Sequence, residues 1–458
     1  MQRFGKEEIE NLTKVIEKGE LGDHPGGFMD QFKEDFCKAS GAKHSVLAAT
    51  AMLLMHAVPG AIGAGAGDEI ICDTVVHFHA IACLHNNVVP VWVDVRPDNF
   101  LMDPDDVESK ITERTKAIWV THTFGYTAEV DKLRAIADKH GIYLLEDCAH
   151  VVLGDYKGKK LGTWGHLGTF SFNCCKQINT GEGGVAITDD DRIAAELNKR
   201  IIFGETPEVL SSNYRMTELQ AAVGCAQLKK LPRFIEEFTE GSGYLDDAIK
   251  DCDWLVPRAV IPGGSVTPYF WTCLFHGDKH GVGYDVFKAA LKQSGARFGT
   301  GFLQVPPYMY EYLRKPFAYG DKGCPYDCKF YDKKIVWEKG MCPNAEDVLP
   351  RIISCNVMQD KEGAKKAAEA LKKAIALAES GDVEPLTYSD LDNRILAMVK
   401  EFGPVEPMET IRLFRERGWE SFEEGAMWNA MEDLRYRFPY KLSHAGPRKF
   451  AYQDLSQS

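Results

Sequence analysis

The reading of this chain turns on two stretches, Ile142-Tyr143-Leu144-Leu145-Glu146-Asp147 and Phe170-Ser171-Phe172-Asn173-Cys174-Cys175-Lys176-Gln177-Ile178-Asn179-Thr180-Gly181-Glu182-Gly183-Gly184. The first is a short apolar strand that ends on a carboxylate. The second leaves an apolar segment, carries an amine into a loop, and turns through glycines into another apolar run, Val185-Ala186-Ile187. Working outward, the same rhythm recurs: apolar runs at 68–72, 88–94, 116–120 and 184–188 alternate with helical patterns such as 104–111 and 130–140. Alternating β and α with apolar strands predicts a parallel sheet covered on both faces. Such sheets bind ligands outside the carboxyl ends of their strands, which is where Asp147 falls.

Amphipathic helices are predicted at 6–19 and 28–39, and a long helix over 217–245 leads out of the sheet domain. A strand at 268–275 and helices at 285–294 and 361–379 make a smaller α/β unit, interrupted by the Pro- and Cys-bearing loop 305–345. After Ser380-Gly381-Asp382 the composition changes. Three helices and a hairpin are expected there, the outline either of a winged-helix module or of a helical cap on a partner subunit. The expected division is 1–247 (arm and large domain), 248–380 (small domain) and 383–458 (appended module).

With 458 residues, two to three domains are expected. The 45% hydrophobic and 26% charged residues describe a soluble globular protein. No apolar run approaches the ~20 residues that span a bilayer, and the start lacks a signal-peptide core, so a cytoplasmic enzyme is the simplest placement. A net charge of −13 argues against a nucleic-acid partner, as do Glu423, Glu424, Glu432 and Asp433 in the segment where a recognition helix would lie. The 13 cysteines read as reduced, packed thiols. Cys324, Cys328 and Cys342 share a loop-rich stretch, yet their spacing matches no standard zinc pair, and no metal is expected.

An amine in the loop after one strand and a carboxylate at the end of another suit pyridoxal phosphate. The lysine would form an internal aldimine with the cofactor aldehyde, and the carboxylate would hold the pyridine nitrogen protonated. The Phe-Ser-Phe before Lys176 suggests a site away from bulk water, which makes the amine easier to neutralise. Plainer readings stand beside these. Most lysines are solvated, Asp147 suits an N-cap, and Cys174 and Cys175 read either as small packing residues or as a lyase nucleophile.

From residue 4 to about 379 the chain resembles the DegT/DnrJ/EryC1/StrS sugar aminotransferases of pyridoxal phosphate fold type I. The resemblance is carried, in order, by Gly67-Asp68-Glu69-Ile70, Pro90-Val91-Trp92-Val93-Asp94, Thr115-Lys116-Ala117-Ile118, Glu146-Asp147-Cys148-Ala149-His150, Tyr156-Lys157-Gly158, Phe170-Ser171-Phe172, Gly181-Glu182-Gly183-Gly184 and Asn213-Tyr214-Arg215-Met216-Thr217-Glu218-Leu219-Gln220. It implies a large, mostly parallel mixed sheet, a smaller α/β domain and a mainly helical extension.

It further implies Lys176 as Schiff-base lysine and proton shuttle, Asp147 on the ring nitrogen, and His150 near the cofactor's phenolic oxygen. Ser171 and the Thr50-Ala51 turn would hold the phosphate, His77 would cover the ring, and Asn213 would reach the cofactor of a second subunit in a homodimer. The family usually has Ser-Gly-Thr where this chain has Ala48-Ala49-Thr50, so an altered phosphate cup is expected. The implied reaction moves an amino group from glutamate or glutamine to a keto-sugar, whether nucleotide-linked, phosphorylated or free. Residues 22–27 and 308–312 are candidate substrate contacts. Some members are dehydratases with histidine at the lysine position, and Lys176 argues against that branch. A lyase on a related sugar and a non-catalytic ligand-binding regulator are the alternatives.

Overall fold

The computed structural model describes residues 3–383, apart from 205, 296, 304, 315–322 and 359, and beyond them 394–395, 397–399, 407–417, 431, 442–446 and 449–452. Helix α1 (Lys6–Lys18) starts where the Glu8 carboxylate accepts the Gly5 N–H at 2.8 Å. Helix α2 (Phe28–Ser40) has no side-chain cap of its own. Its first N–H groups, on Phe28 and Met29, donate instead to the buried Glu218 carboxylate at 2.6 and 2.9 Å. Gly27 permits the approach, because a Cβ there would lie 2.6 Å from that carboxylate.

The strands and helices that follow are β1 (His44–Ala48), α3 (Ala51–Ala61), β2 (Glu69–Asp73), α4 (Phe78–His85), β3 (Val89–Val93), α5 (Pro104–Ser109), β4 (Thr115–Thr121), α6 (Val130–His140) and β5 (Tyr143–Asp147). A small hairpin, β6 (Asp155–Tyr156) and β7 (Lys159–Lys160), precedes β8 (Leu167–Ser171), β9 (Gly184–Thr188), α7 (Asp191–Ile201) and the long α8 (Glu218–Ile249). Seven strands form one sheet in the order β1-β9-β8-β5-β4-β2-β3. Alternate residues face opposite ways. Ile70, Cys72, Trp119 and Leu145 pack with α3, α4 and α7, whereas Ile71, Ile118, Leu144 and Val185 pack with α2, α5, α6 and α8. Helices cover both faces, as alternating apolar strands require.

The sheet is mixed. The pairs β2–β3, β2–β4, β4–β5 and β5–β8 are parallel, but β9 runs antiparallel to both β8 and β1. The loop from β8 to β9 contains no crossover helix, and an antiparallel neighbour needs none. Helix α3 runs to Ala61 and so takes in the first residues of the Gly-rich run 60–67. There Gly60 lies under the Arg200 side chain, 2.7 Å from where a Cβ would stand.

A second sheet follows, built from β10 (Leu255–Pro257), β11 (Phe270–Phe275), β12 (Gly299–Thr300) and β13 (Ile352–Asn356) in the order β10-β11-β13-β12, antiparallel throughout. Helix α9 (Tyr284–Gln293) lies between β11 and β12 in sequence; α10 (Glu311–Arg314) and α11 (Pro343–Val348) precede β13, and α12 (Lys361–Ser380) packs on both α8 and α9. The three loop cysteines do not gather: Cys324 and Cys328 are neighbours, while the buried Cys342 thiol lies near Lys110 and Asp94. In the tail, α13 (Pro407–Glu416) and a hairpin of β14 (Leu442–Gly446) and β15 (Lys449–Tyr452) are described, with Ile395, Met398, Val399, Ile411, Phe414 and Met431 buried. The helix expected over 422–435 lies outside the described residues except for Met431.

Glu218→Ala removes two charge-assisted acceptors from the start of α2. It is expected to destabilise the protein by roughly 1.5–3 kcal/mol, read as a lower midpoint in urea unfolding. Glu218→Gln, which keeps one acceptor, should lose less.

Candidate active site

Strands β2, β4, β5 and β8 are mutually parallel, and β1 joins them in direction across β9, so all five end at one edge. The register aligns the candidate residues along it. Ala48 and Ser171 flank Gly184, Thr169 pairs with Asp147, and Asp147 pairs with Thr121, whose N–H donates to Asp73 at 2.9 Å.

Lys176 stands in the loop after β8, in a turn closed by its own N–H on the Asn173 carbonyl at 2.8 Å. The Arg3 guanidinium donates to the Lys176 and Gln177 carbonyls. Buried Gln177 accepts from Val152 N–H at 2.8 Å and donates to the Thr267 and Pro268 carbonyls at 2.8 and 3.0 Å, tying the loop to the segment before β11. The amine lies 4.5 Å from the Tyr269 ring centre. Burial pulls the ammonium down to about 8, with the Asp147 carboxylate and Cys175 pulling the other way. A partly neutral amine near physiological pH is what a nucleophilic lysine requires.

Asp147 is 1% exposed. It accepts Ala149 N–H at 2.9 Å and His79 Nε2 at 3.2 Å. The fully buried His79 stacks on Trp119, ring centres 4.8 Å apart and 12° from parallel, and its Nδ1 has no partner. His79 went unread in the sequence, although it stands two residues from His77. The only available signal was a polar ring in an apolar segment. His77 itself caps α4, half-buried, with ring centres of Tyr310 and Tyr312 at 5.9 and 6.3 Å. Thus His79, not His77, makes the hydrogen bond to Asp147.

His150 is buried between two rings, Tyr269 at 4.3 Å and Phe124 at 5.9 Å. Its Nδ1 accepts the Phe124 N–H at 3.2 Å, which leaves the proton on Nε2. Burial, then the Lys176 and Arg258 charges, hold its pKa well below the ordinary histidine value, so the ring stays a neutral Nε2–H donor. Tyr269 had no sequence signal, since it is brought in from the second sheet's side of the chain.

At the other end of the site, Thr50 caps α3 and accepts Leu53 N–H at 3.1 Å. The first-turn N–H groups of Ala51 and Met52 have no intrahelical acceptor and lie at the positive end of the helix dipole. A Cβ on Gly184 would sit 2.4 Å from the Ala51 nitrogen, so glycine keeps this end open. Ser171, 8% exposed, lies directly across from Gly184.

Asn213 stands one residue before Tyr214, whose carbonyl accepts the Ala49 N–H at 2.8 Å beside Thr50. It accepts from Arg215 Nε at 3.0 Å and lines a cavity of about 760 Å³ with Gly22, Asp23, His24, Pro25 and Thr217, so it meets most of the 22–27 segment there. Of the 308–312 segment, Tyr308 is fully buried, with its hydroxyl on Glu346 at 2.5 Å, so it is core; Tyr310 and Tyr312 face His77. Cys174 and Cys175, read as packing residues or as a lyase nucleophile, are exposed.

The residues present fit pyridoxal phosphate. They supply an amine freed by burial, a buried carboxylate, a neutral ring donor, and a helix start kept clear by a glycine that tolerates no Cβ. Among the described residues, one group of candidate metal ligands converges: His122, Glu146 and Cys148, all buried. It is already satisfied, with His122 Nε2 on Glu146 at 3.1 Å, Nδ1 accepting Ala128 N–H, and Glu146 accepting two further backbone N–H groups.

Residues 2–337 match the profile of the DegT/DnrJ/EryC1/StrS aminotransferase family. The chain is 30% identical over 349 residues to the spore coat polysaccharide biosynthesis protein SpsC of Bacillus subtilis (strain 168), covering 72% of this chain and 89% of that protein. It is 34% identical over 295 residues to the L-glutamine:2-deoxy-scyllo-inosose aminotransferase of Streptomyces kanamyceticus, covering 61% of this chain and 68% of that one. The solved structure of Helicobacter pylori PseC, an aminotransferase involved in the biosynthesis of pseudoaminic acid, superposes with a TM-score of 0.68 at 24% identity, over 81% of this chain and 97% of that one. That likeness concerns the fold. Among the described residues, no helix is long and apolar enough to cross a membrane.

His150 is expected to remain neutral across the pH range in which exposed histidines titrate, with Nε2 protonated. Nitrogen chemical shifts of the labelled ring check this; an imidazolium signal near neutral pH would contradict the site geometry.

Proposed function

The chain belongs to the DegT/DnrJ/EryC1/StrS aminotransferase family, a pyridoxal-phosphate-dependent family, and from that premise we propose that it transfers an amino group from glutamate or glutamine to a keto-sugar, with Lys176 as the cofactor-linked lysine. The observation that carries this reading is the meeting of Lys176, Asp147 and His150 at the carboxyl edge of the sheet, with the Lys176 amine pulled down to about 8 by burial. The glutamine donor and the cyclic keto acceptor are supported by the Streptomyces kanamyceticus relative, an L-glutamine:2-deoxy-scyllo-inosose aminotransferase.

Pyridoxal phosphate, when bound, supplies an aldehyde for amines and a protonated ring that draws electrons from the carbon being deprotonated. Lys176 would hold it and, as a free amine, would move the proton at the substrate carbon. Asp147 keeps the ring nitrogen protonated. His79 Nε2 donates to Asp147 and so orients its carboxylate. His150 offers Nε2–H to the ring's phenolic oxygen. The N–H groups of Ala51 and Met52 at the start of α3, with Ser171, receive the phosphate, as helix N-termini receive anions. His77 is assigned to the ring face, beside Tyr310 and Tyr312. Asn213 and Arg215, which line the same cavity, are assigned to a second subunit's cofactor in a homodimer. The proposed parts are 1–247 for cofactor binding, 248–380 as small domain and 383–458 as interaction module, in a cytoplasmic enzyme.

Lys176→Ala should abolish the visible absorbance given by added pyridoxal phosphate and the borohydride-stable label on the tryptic peptide. A retained label at another lysine would refute the assignment. Because the Lys176 amine is protonated below its depressed pKa, cofactor capture should accelerate as pH rises and level off above about 8. Asp147→Asn removes the charge that holds the ammonium up, so this inflection should move to lower pH.

A further inference from the structure

Two of the 13 cysteines are exposed, and they are adjacent: Cys174 and Cys175, directly before Lys176. Their sulfurs are 3.8 Å apart. They occupy the two central positions of the turn that the Lys176 N–H closes on the Asn173 carbonyl. The side chains of Asn173 and Asn179 brace the same turn, Asn173 Oδ1 accepting Cys175 N–H at 3.1 Å and Asn179 Nδ2 donating to the Cys174 carbonyl at 2.9 Å. Exposure rules out the packing role that two small residues would otherwise fill, and it leaves both thiols open to small oxidants.

We propose that Cys174 and Cys175 form a reversible oxidation site whose closure to a vicinal disulfide opens this turn and withdraws Lys176 from Asp147. The inference rests on the reading of Lys176 as the cofactor lysine. Adjacent Cα atoms across a trans peptide are about 3.8 Å apart, whereas disulfides usually span roughly 4.4–6.8 Å. The Cα separation is fixed in every trans conformer, so the ring closes only under strain, and the sulfurs, now 3.8 Å apart, must come to about 2.05 Å. Drawing the sulfurs together changes the backbone torsions of Cys174 and Cys175, and those torsions define the turn that the Lys176 N–H closes on the Asn173 carbonyl. A disulfide formed under such constraint is readily reduced, which suits a switch better than a structural staple.

The chemistry needs a peroxide as oxidant. The Cys174 thiolate attacks one peroxide oxygen, breaking the O–O bond and giving a sulfenic acid, while the leaving oxygen takes a proton. The Cys175 sulfur then attacks the sulfenic sulfur, forms the S–S bond and expels hydroxide, which takes the Cys175 proton as water. Two thiols are oxidised by two electrons, and one peroxide is reduced. Burial and the neighbouring Cys174 raise the Cys175 thiol, against the pull of Lys176 and Arg3, which makes Cys175 the resolving partner.

The test treats the full-length protein with hydrogen peroxide and maps its peptides without reductant. The expected product is a peptide containing Cys174 and Cys175 that has lost two hydrogens and regains them with dithiothreitol. In the same samples the Lys176 amide should exchange with deuterium about tenfold faster, the scale of one lost backbone hydrogen bond. The fraction of Lys176 fixed to pyridoxal phosphate by borohydride should fall, and Cys174→Ser should respond in neither readout. Added oxygen on either sulfur, or a bond to a third cysteine, would overturn the proposal, and so would a vicinal disulfide that leaves the Lys176 amide exchange unchanged. If the reduced protein fixes no cofactor on Lys176, the functional assignment fails; peptide mass and amide exchange still decide whether the pair is a switch.

Discussion

The close approach at Gly184 organises the site. Strand β9 lies between β1 and β8 with Gly184 opposite both Ala48 and Ser171, and it leaves no space for a side chain beside the Ala51 nitrogen. That one missing Cβ lets the start of α3 and the end of β8 share an edge. The helix start proposed to receive the phosphate and the amine-bearing loop are thereby held on either side of a single backbone position. The antiparallel insertion of β9 is what makes the sheet mixed, as the family resemblance implied, and it is also what brings β1, early in the chain, next to strands formed far later.

Around this frame the site sets burial against charge. Burial neutralises the Lys176 amine, and Asp147 limits how far. Asp147 can stay buried because Ala149 N–H and His79 Nε2 occupy its oxygens, and paired buried carboxylates avoid most of the desolvation cost that isolated ones incur. His150 is held neutral by the same burial and by two nearby cations. One of them, Arg258, is itself buried between the rings of Phe100 and Tyr126 and donates to the Asn99 and Thr123 carbonyls. It thereby steadies the Thr123–Gly125 turn, whose Phe124 N–H selects the His150 tautomer.

Much of this was legible in order along the chain. Strand 184–188 and helix 130–140 were read to the residue, and the other elements given bounds within 1–380 to within four, because apolar period and caps are local signals, whereas α4, α7, β10, β12 and β13 went unread. Strand β1 escaped notice because it is short and opens on His44 and Ser45. Lys176, Asp147, Ser171 and the Thr50 cap were legible because each stands at a junction between elements. The Asn213 to Gln220 motif was legible as a pattern but not as physics. Only the fold shows that Glu218 caps a helix almost two hundred residues earlier in the chain.

By itself, then, the sequence determined the alternation of strands and helices, the edge on which chemistry would sit, and the amine and carboxylate proposed to carry it, since these follow from periodicity and residue type. The tertiary structure decided which histidine meets Asp147, that Tyr269 crosses from the second sheet's side to Lys176 and His150, that Tyr308 is core, and that the vicinal thiols face solvent. Those are contacts between segments far apart in the chain or matters of burial. Both are set by how the layers pack rather than by any local preference.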